Sequence, residues 1–424
     1  MIHQVSKLPH AKRMLQDILV LQVSVLEAAG QIGITENMVL DANVFTPVLQ
    51  AHLESKRRFS GRSEAIARWI MTGKKGIRKS LVEPLNKFAN GPQADKSEFI
   101  SDIINDIFLL YRPKAAAFRV AVLENETLDW RKGARDFLYE FYDLWQSGFP
   151  ACIFPAPSKK YTRQDFVQEF ELLNPGLFIC AVCDGSAYST KTVKHIYTSV
   201  DHFFPRSIYP HLSCHPLNLI PICSSCNSYI KGDIDPLTSN GLHFQLVDFI
   251  LPYQQLDLAF SKKTYIAVVK RDPRENKFLH PMKLELRPAR EFEAGNKITA
   301  FNNLYKIDER WSESLHEIED HVFRRITQYL SLIDPVNSIS DPTTLIRYLK
   351  ALMSQTDLEN IGKDPYAFPM VWLFKSYIDQ IEAQHENAPI YKALLNWAAQ
   401  NRQRWEFLET HSLEIQRRVP ERVD

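Results

Sequence analysis

The sequence predicts an α+β chain, mainly helical, organised around a small strand-loop-strand-helix core with zinc knuckles. Three observations predict it. Two Cys-x-x-Cys pairs, Cys180/Cys183 and Cys223/Cys226, enclose a stretch rich in β-branched and aromatic residues, and a polar helix pattern follows the last cysteine. On both sides the chain carries apolar residues at helical spacing, and the 424 residues allow two or three domains.

Residues 1–150 read as a helical domain. Lys12–Ala29 has helix-forming composition closed by Gly30, Ser97–Tyr111 is amphipathic and stopped by Pro113, and Leu128–Gln146 concentrates Trp130, Phe137, Tyr139, Phe141, Tyr142 and Trp145 as a helical core. Between the first two, Lys56–Lys79 holds nine basic residues against one acid, Glu64, with glycines at 61, 73 and 76 expected to form turns. Arg57, Arg58, Lys74, Lys75 and Arg78 are its candidate contacts to a nucleic-acid backbone or a protein partner; a plain solvated face explains the segment equally well. The three prolines of Pro150–Pro157 predict a linker.

Residues 158–245 read as the central domain. Thr162–Leu173 predicts a helix with Thr162 as N-cap, ended by Asn174-Pro175-Gly176. In each Cys-x-x-Cys turn both sulfurs can face one tetrahedral ion, so Cys180, Cys183, Cys223 and Cys226 predict a structural zinc site. The 39 positions between the pairs, 184 to 222, exceed the roughly 15–20 of a plain ribbon, so structure must be built between them. Disulfides are the alternative, but six cysteines in 424 residues and no secretory signal favour a reducing, cytoplasmic setting. Cys214, nine positions before Cys223, could compete as a ligand; a buried free thiol is the preferred reading for it and for Cys152. Thr192–His202 and Leu217–Ile222 predict strands, and Ser224 caps a helix on which Asn227 and Lys231, four apart, share a face. Asp201 and His202 are adjacent strand residues and reach one site only where the strand ends, which Phe203-Phe204-Pro205 makes possible.

The run C-x-x-C, V-D-H-F-F-P, then H-P-L-N-L-I-P-I-C-S-S-C-N-S-Y-I-K resembles the HNH endonucleases with their ββα-metal fold. The resemblance covers about residues 165–237. It implies that His202 is the general base, that Asp201 and Asn227 ligate a catalytic divalent metal, and that Asn218 braces the loop, as an HNN variant with Asn227 in the last histidine's place. One base contributes about 10²- to 10⁴-fold, too little for phosphodiester hydrolysis alone, so a metal must supply the remaining stabilisation. The hard oxygens of Asp201 and Asn227 suit Mg²⁺ or Mn²⁺. Lys231 is read as a phosphate contact, and His195, His211 and His215 as loop or substrate-contact residues. The resemblance points to DNA as substrate and to defence against foreign DNA. RNA cleavage, or a zinc-knuckle module that binds without cutting, are the alternatives.

Residues 246–424 predict a small sheet followed by helices. Lys263–Lys270, Met282–Arg287 and Lys297–Phe301 alternate like strands appended to the nuclease; Leu304–Ile333, Thr343–Ser354, Pro369–Ala383 and Ile390–Ile415 are helical. Fifty-one basic against 50 acidic residues make any nucleic-acid surface a local patch. Ile18–Leu26, the most apolar run, is too short and too polar at Gln22 and Ser24 for a bilayer, so no membrane partner is expected.

Overall fold

A computed structural model describes residues 2–3, 5–31, 37–72, 75–113, 115–121, 126–155, 160–187, 199–253, 265–270, 283–288, 295–333, 339 and 341–400. The chain is α+β and mostly helical, and its described strands pair into two two-stranded sheets. It forms two compact units: Met1–Phe260 with Glu291–Tyr305, and Ser261–Arg290 with Lys306–Asp424. The helices of residues 1–150 and the cysteine-bearing segment therefore fall in one unit.

In the first unit, α1 (Pro9–Ala29) starts with proline at its first turn, where the missing N–H costs nothing. Its apolar residues are buried nearly all round, among them Leu15, Ile18, Leu21 and Val25. It packs against α2 (Ala42–Ser55), α4 (Lys75–Ala89), α5 (Gln93–Tyr111), α6 (Asp129–Ser147) and α7 (Arg163–Leu173). Glu169 of α7 accepts from the backbone N–H groups of His10 and Ala11 at 2.9 and 2.7 Å, placing a carboxylate at the positive end of α1. The aromatic helix α6 buries Phe137, Phe141, Tyr142 and Trp145. Gly133 lets α4 approach it, since a Cβ there would lie 2.5 Å from the Pro84 carbonyl oxygen. Thr162 caps α7 in a capping box with Asp165, as the sequence indicates.

Two expectations for this unit need correction. The basic segment is largely helical: residues Ser63–Thr72 form α3 and Gly76 lies within α4, while Gly61, at φ +75°, is a turn and Gly73 lies outside the described residues. The described part of the expected linker, residues 150–155, is not open either; residues 156 and 157 lie outside the described residues. A short 3-10 turn spans Ala151–Ile153, Phe149 pairs with Tyr161, and Ile153 and Phe154 are buried, because two aromatic or aliphatic residues between prolines have an apolar face to join.

Strands β1 (Ser199–His202) and β2 (Leu219–Ile222) pair antiparallel, with Asp201 opposite Ile220 and His202 opposite Leu219. A π-helix, Ser225–Lys231, follows, giving the predicted strand-strand-helix order. α8 (Gly295–Tyr305) also belongs to this unit. The strand expected at Lys297–Phe301 is thus a helix: Ile298, Phe301, Leu304 and Tyr305 are buried at helical spacing, which five residues alone could not reveal.

The second unit contains β3 (Tyr265–Lys270) paired antiparallel with β4 (Lys283–Pro288), so this sheet is not an appendage of the cysteine-bearing unit. α9 (Ile307–Glu313) covers the free edge of β4: Leu286 N–H donates to Asp308 at 2.7 Å and Leu284 N–H to Ser312 at 3.2 Å. α10 (Leu315–Ile333), α11 (Pro342–Gln355), α12 (Ala367–Gln384) and a helix over 389–400 complete it. The single helix expected over Leu304–Ile333 is broken at Lys306, whose φ of +50° a continuing helix does not tolerate. Among the described residues, no helix is long and apolar enough to cross a membrane.

Candidate metal centre and adjoining cavity

Cys180, Cys183, Cys223 and Cys226 converge, all buried, with their sulfurs within 4.8 Å of one another. The Cys180–Cys226 and Cys183–Cys223 sulfur pairs are each 3.9 Å apart. Four thiolates around a tetrahedral zinc at about 2.3 Å lie about 3.8 Å from each other, so the cluster is sized for that ion. Backbone N–H groups point at the sulfurs, Cys223 N to Cys180 Sγ at 3.5 Å and Cys226 N to Cys223 Sγ at 3.4 Å, which favours the thiolate form. The first knuckle is closed by Asp184 N–H donating to the Cys180 carbonyl, with Asp184 at φ +61°. His3 bonds the Asp184 carboxylate and ties the start of the chain to this turn, a link with no sequence signal. Cys152 and Cys214 stand apart from the cluster, and burial pushes the Cys214 thiol up to about 12.

Next to the cluster lies a cavity of about 270 Å³ lined by Asp201, His202, Asn227 and Lys231, together with Tyr142, Arg163 and Arg206. Adjacent strand residues reach one site here because β1 ends at His202. The Nε2 of His202 lies 3.1 Å from the Ser213 carbonyl oxygen. A carbonyl only accepts, so Nε2 carries the proton and Nδ1 keeps a lone pair. Burial first, then the charges of Arg206 and Lys231, hold His202 well below the usual imidazole range, so the ring is neutral at ordinary pH. The Tyr142 ring packs on it edge-on at 4.3 Å.

Asn218 lies behind the cavity and is fully buried. Its side chain accepts from Phe204 N–H at 2.7 Å and donates to the carbonyls of Phe204 and Leu212, both at 3.0 Å, fastening the loop after His202 to the start of β2. Asn218→Ala strands these groups in the interior. At roughly 1–3 kcal/mol for each orphaned buried group, the expected loss is about 3 kcal/mol or more, read as a lowered denaturant midpoint at unchanged slope.

Asp201 is buried, and its carboxylate makes an ion pair with Lys231 at 3.0 Å and meets the Tyr305 hydroxyl at 3.4 Å. Burial raises its pKa and Lys231 opposes the rise. Asn227, on the π-helix, donates from its side-chain amide to the Ser199 hydroxyl. Arg206 stacks over the rings of Tyr139 and Tyr142, at 4.0 and 5.0 Å, and pairs with Asp143 at 2.6 Å. Arg163 donates to the Tyr142 hydroxyl at 3.4 Å.

Several expectations change. Lys231 does not stand free for a phosphate: it is buried, donating to Asp201 and to the His202 carbonyl. His211 and His215 are core residues and not substrate contacts. His211 faces Asp106 at 3.3 Å, and His215 packs on Tyr111 at 4.6 Å. Both lie in a loop that the sequence presents as polar but α5 covers. His195 and Lys74 lie outside the described residues. Lys75 and Arg78 are on α4. Arg57 is exposed, Arg58 pairs with Asp17 at 3.0 Å, and neither lines the cavity. Sequence reasoning missed Tyr142, Arg163, Arg206 and Tyr305. Arg206, four residues after His202, was within reach of the motif; Tyr142 and Tyr305 arrive from distant helices.

Burial holds His215 down to about 3, whereas an unfolded histidine takes its proton near pH 6.5. Between those values the unfolded state binds the extra proton, so stability falls as pH drops, by about 1.4 kcal/mol per unit. His215→Gln keeps an acceptor for Leu217 N–H but cannot ionise. Urea unfolding at pH 7 and 4.5 should show wild type losing roughly 2 kcal/mol more than the variant.

Scans against protein-family models, curated proteins and solved structures find no match to this chain.

Proposed function

We propose that this protein is a metal-dependent endonuclease of the HNH type, cutting phosphodiester bonds in DNA, with a structural zinc in the four-cysteine cluster. The observation that carries this reading is the state of His202: neutral, with Nε2 held by a backbone carbonyl and its lone pair on Nδ1, in a cavity shared with Asp201 and Asn227. A general base needs that protonation state.

Asp201 and Asn227 bring two hard oxygen donors to one cavity, a set that fits Mg²⁺ or Mn²⁺ once the Lys231 ammonium leaves the carboxylate. Bound there, the ion would act as a Lewis acid on the phosphate. His202 takes the proton of the attacking water at Nδ1. The Ser213 carbonyl holds the ring in its tautomer and steadies the imidazolium that forms. Arg163 and Arg206 place positive charge at the cavity wall for the phosphate oxygens, with Arg206 held in place by Asp143 and the tyrosine rings. Asn218 keeps the Phe203-Phe204 backbone in the position that aims His202.

The test is incubation of the full chain with supercoiled plasmid, linear duplex, single-stranded DNA and total RNA, each with Mg²⁺, Mn²⁺ or EDTA. Cutting of DNA that needs a divalent ion is the expected result. Preference for RNA corrects the substrate class, and folded, zinc-loaded protein that cuts nothing overturns the reading in favour of a binding module.

A further inference from the structure

The Lys231 ammonium sits among oxygens much as a cation would. It lies 3.0 Å from Asp201 Oδ1, 2.6 Å from the His202 carbonyl and 3.5 Å from the Gly232 carbonyl, with both charged side chains almost wholly buried. The carboxylate it neutralises is one of two that line the cavity, the other being Asp233, and the one beside His202. A divalent ion on Asp201 Oδ1 and an ammonium at hydrogen-bond distance from the same oxygen repel each other at close range in a medium that screens poorly. Both cannot hold that position.

We propose that Lys231 is the resident counter-ion of Asp201, exchanged for the divalent cation when the site loads, so that the ammonium moves off the carboxylate into the cavity beside Arg163 and Arg206. Three features support the exchange. An unpaired buried carboxylate is costly, so a protein that must fold before it meets metal benefits from a built-in cation. The lysine stem is long and unbranched, which allows its end to move without the helix moving. Lys231 also lines the cavity, so the ammonium has polar space to enter. The released charge then serves the phosphate, and metal and substrate binding become mutually favourable. This inference rests on the nuclease reading of the cavity.

Mn²⁺ binding to the zinc-loaded full chain, followed by calorimetry and by the paramagnetic resonance signal of free Mn²⁺, tests it. Lys231→Met is expected to bind Mn²⁺ at least about tenfold more tightly than wild type, a difference of about 1.4 kcal/mol, and adding Asp201→Asn should abolish the gain. Equal affinity in wild type and Lys231→Met, or a gain that survives Asp201→Asn, overturns the exchange. Should Lys231→Met fail to fold, acylation of wild-type lysines mapped by mass spectrometry decides. Lys231 should be protected without Mn²⁺ and become reactive with it, and unchanged reactivity at saturating Mn²⁺ overturns the proposal. The two readings fail separately. Cleavage that needs His202 with no change in Mn²⁺ affinity or lysine reactivity removes the exchange alone, whereas Mn²⁺ binding that shows the exchange without cleavage of any nucleic acid removes the nuclease.

Discussion

His202→Ala is expected to lower single-turnover cleavage about 10²- to 10⁴-fold while leaving zinc content and the unfolding midpoint close to wild type. On the proposed mechanism, removing the ring takes away the lone pair that would accept the proton from water. In the working site Asp201 would hold the divalent ion, and the two arginines cannot accept. The pH dependence separates this role from a purely structural one. A base works only when neutral, so the acidic limb of the rate profile follows its pKa. Burial, Arg206 and Lys231 hold that pKa well below 6.5, so activity should persist as pH falls from 8 through 6 instead of halving near 6.5. Undiminished cleavage in His202→Ala would remove the histidine from the mechanism, and a limb centred at 6.5 would show that the ring works in a solvated setting unlike this one.

The second large effect is loss of zinc. Cys226→Ser or Cys180→Ser should reduce zinc from one ion per chain to none, whereas Cys152→Ser and Cys214→Ser should leave it at one. Zinc binding by such clusters is worth about 10–16 kcal/mol, as much as the whole stability of an ordinary domain at about 5–15 kcal/mol. The local structure has little else to rely on: β1 and β2 are four residues each, and an isolated two-stranded pair is marginal in water. Without the ion the π-helix carrying Asn227 and Lys231 loses its anchor at Cys226, so cavity and cleavage should go together with the metal. Metal analysis of the four variants, with near-ultraviolet circular dichroism to follow aromatic packing, checks this. A zinc-free Cys214→Ser protein would mean that the ligand set is misassigned.

How legible the protein was depends on the range of each interaction. Helices closed by local signals came out correctly: Gly30 after α1, Pro113 beyond α5, and the Thr162 capping box of α7 are decided within a few residues. The five residues Lys297–Phe301 fit a strand or a helix equally, and only burial against the rest of the first unit selects the helix. Lys231 read as a phosphate contact because nothing local shows what pairs with it; its partner, Asp201, is 30 residues away. His211 and His215 read as polar loop residues because nothing local shows that Asp106 and Tyr111 of α5 cover them.

By itself the sequence determined the four-cysteine cluster, the order strand, strand, helix, and the company of Asp201, His202, Asn218 and Asn227, since ligand spacing and capping are written within short windows. Tertiary structure alone decided which charges surround that group. The Asp201–Lys231 pair, the Ser213 carbonyl at His202, and Tyr142, Arg163 and Tyr305 brought from separate helices depend on long-range packing, and that packing sets the protonation state of His202.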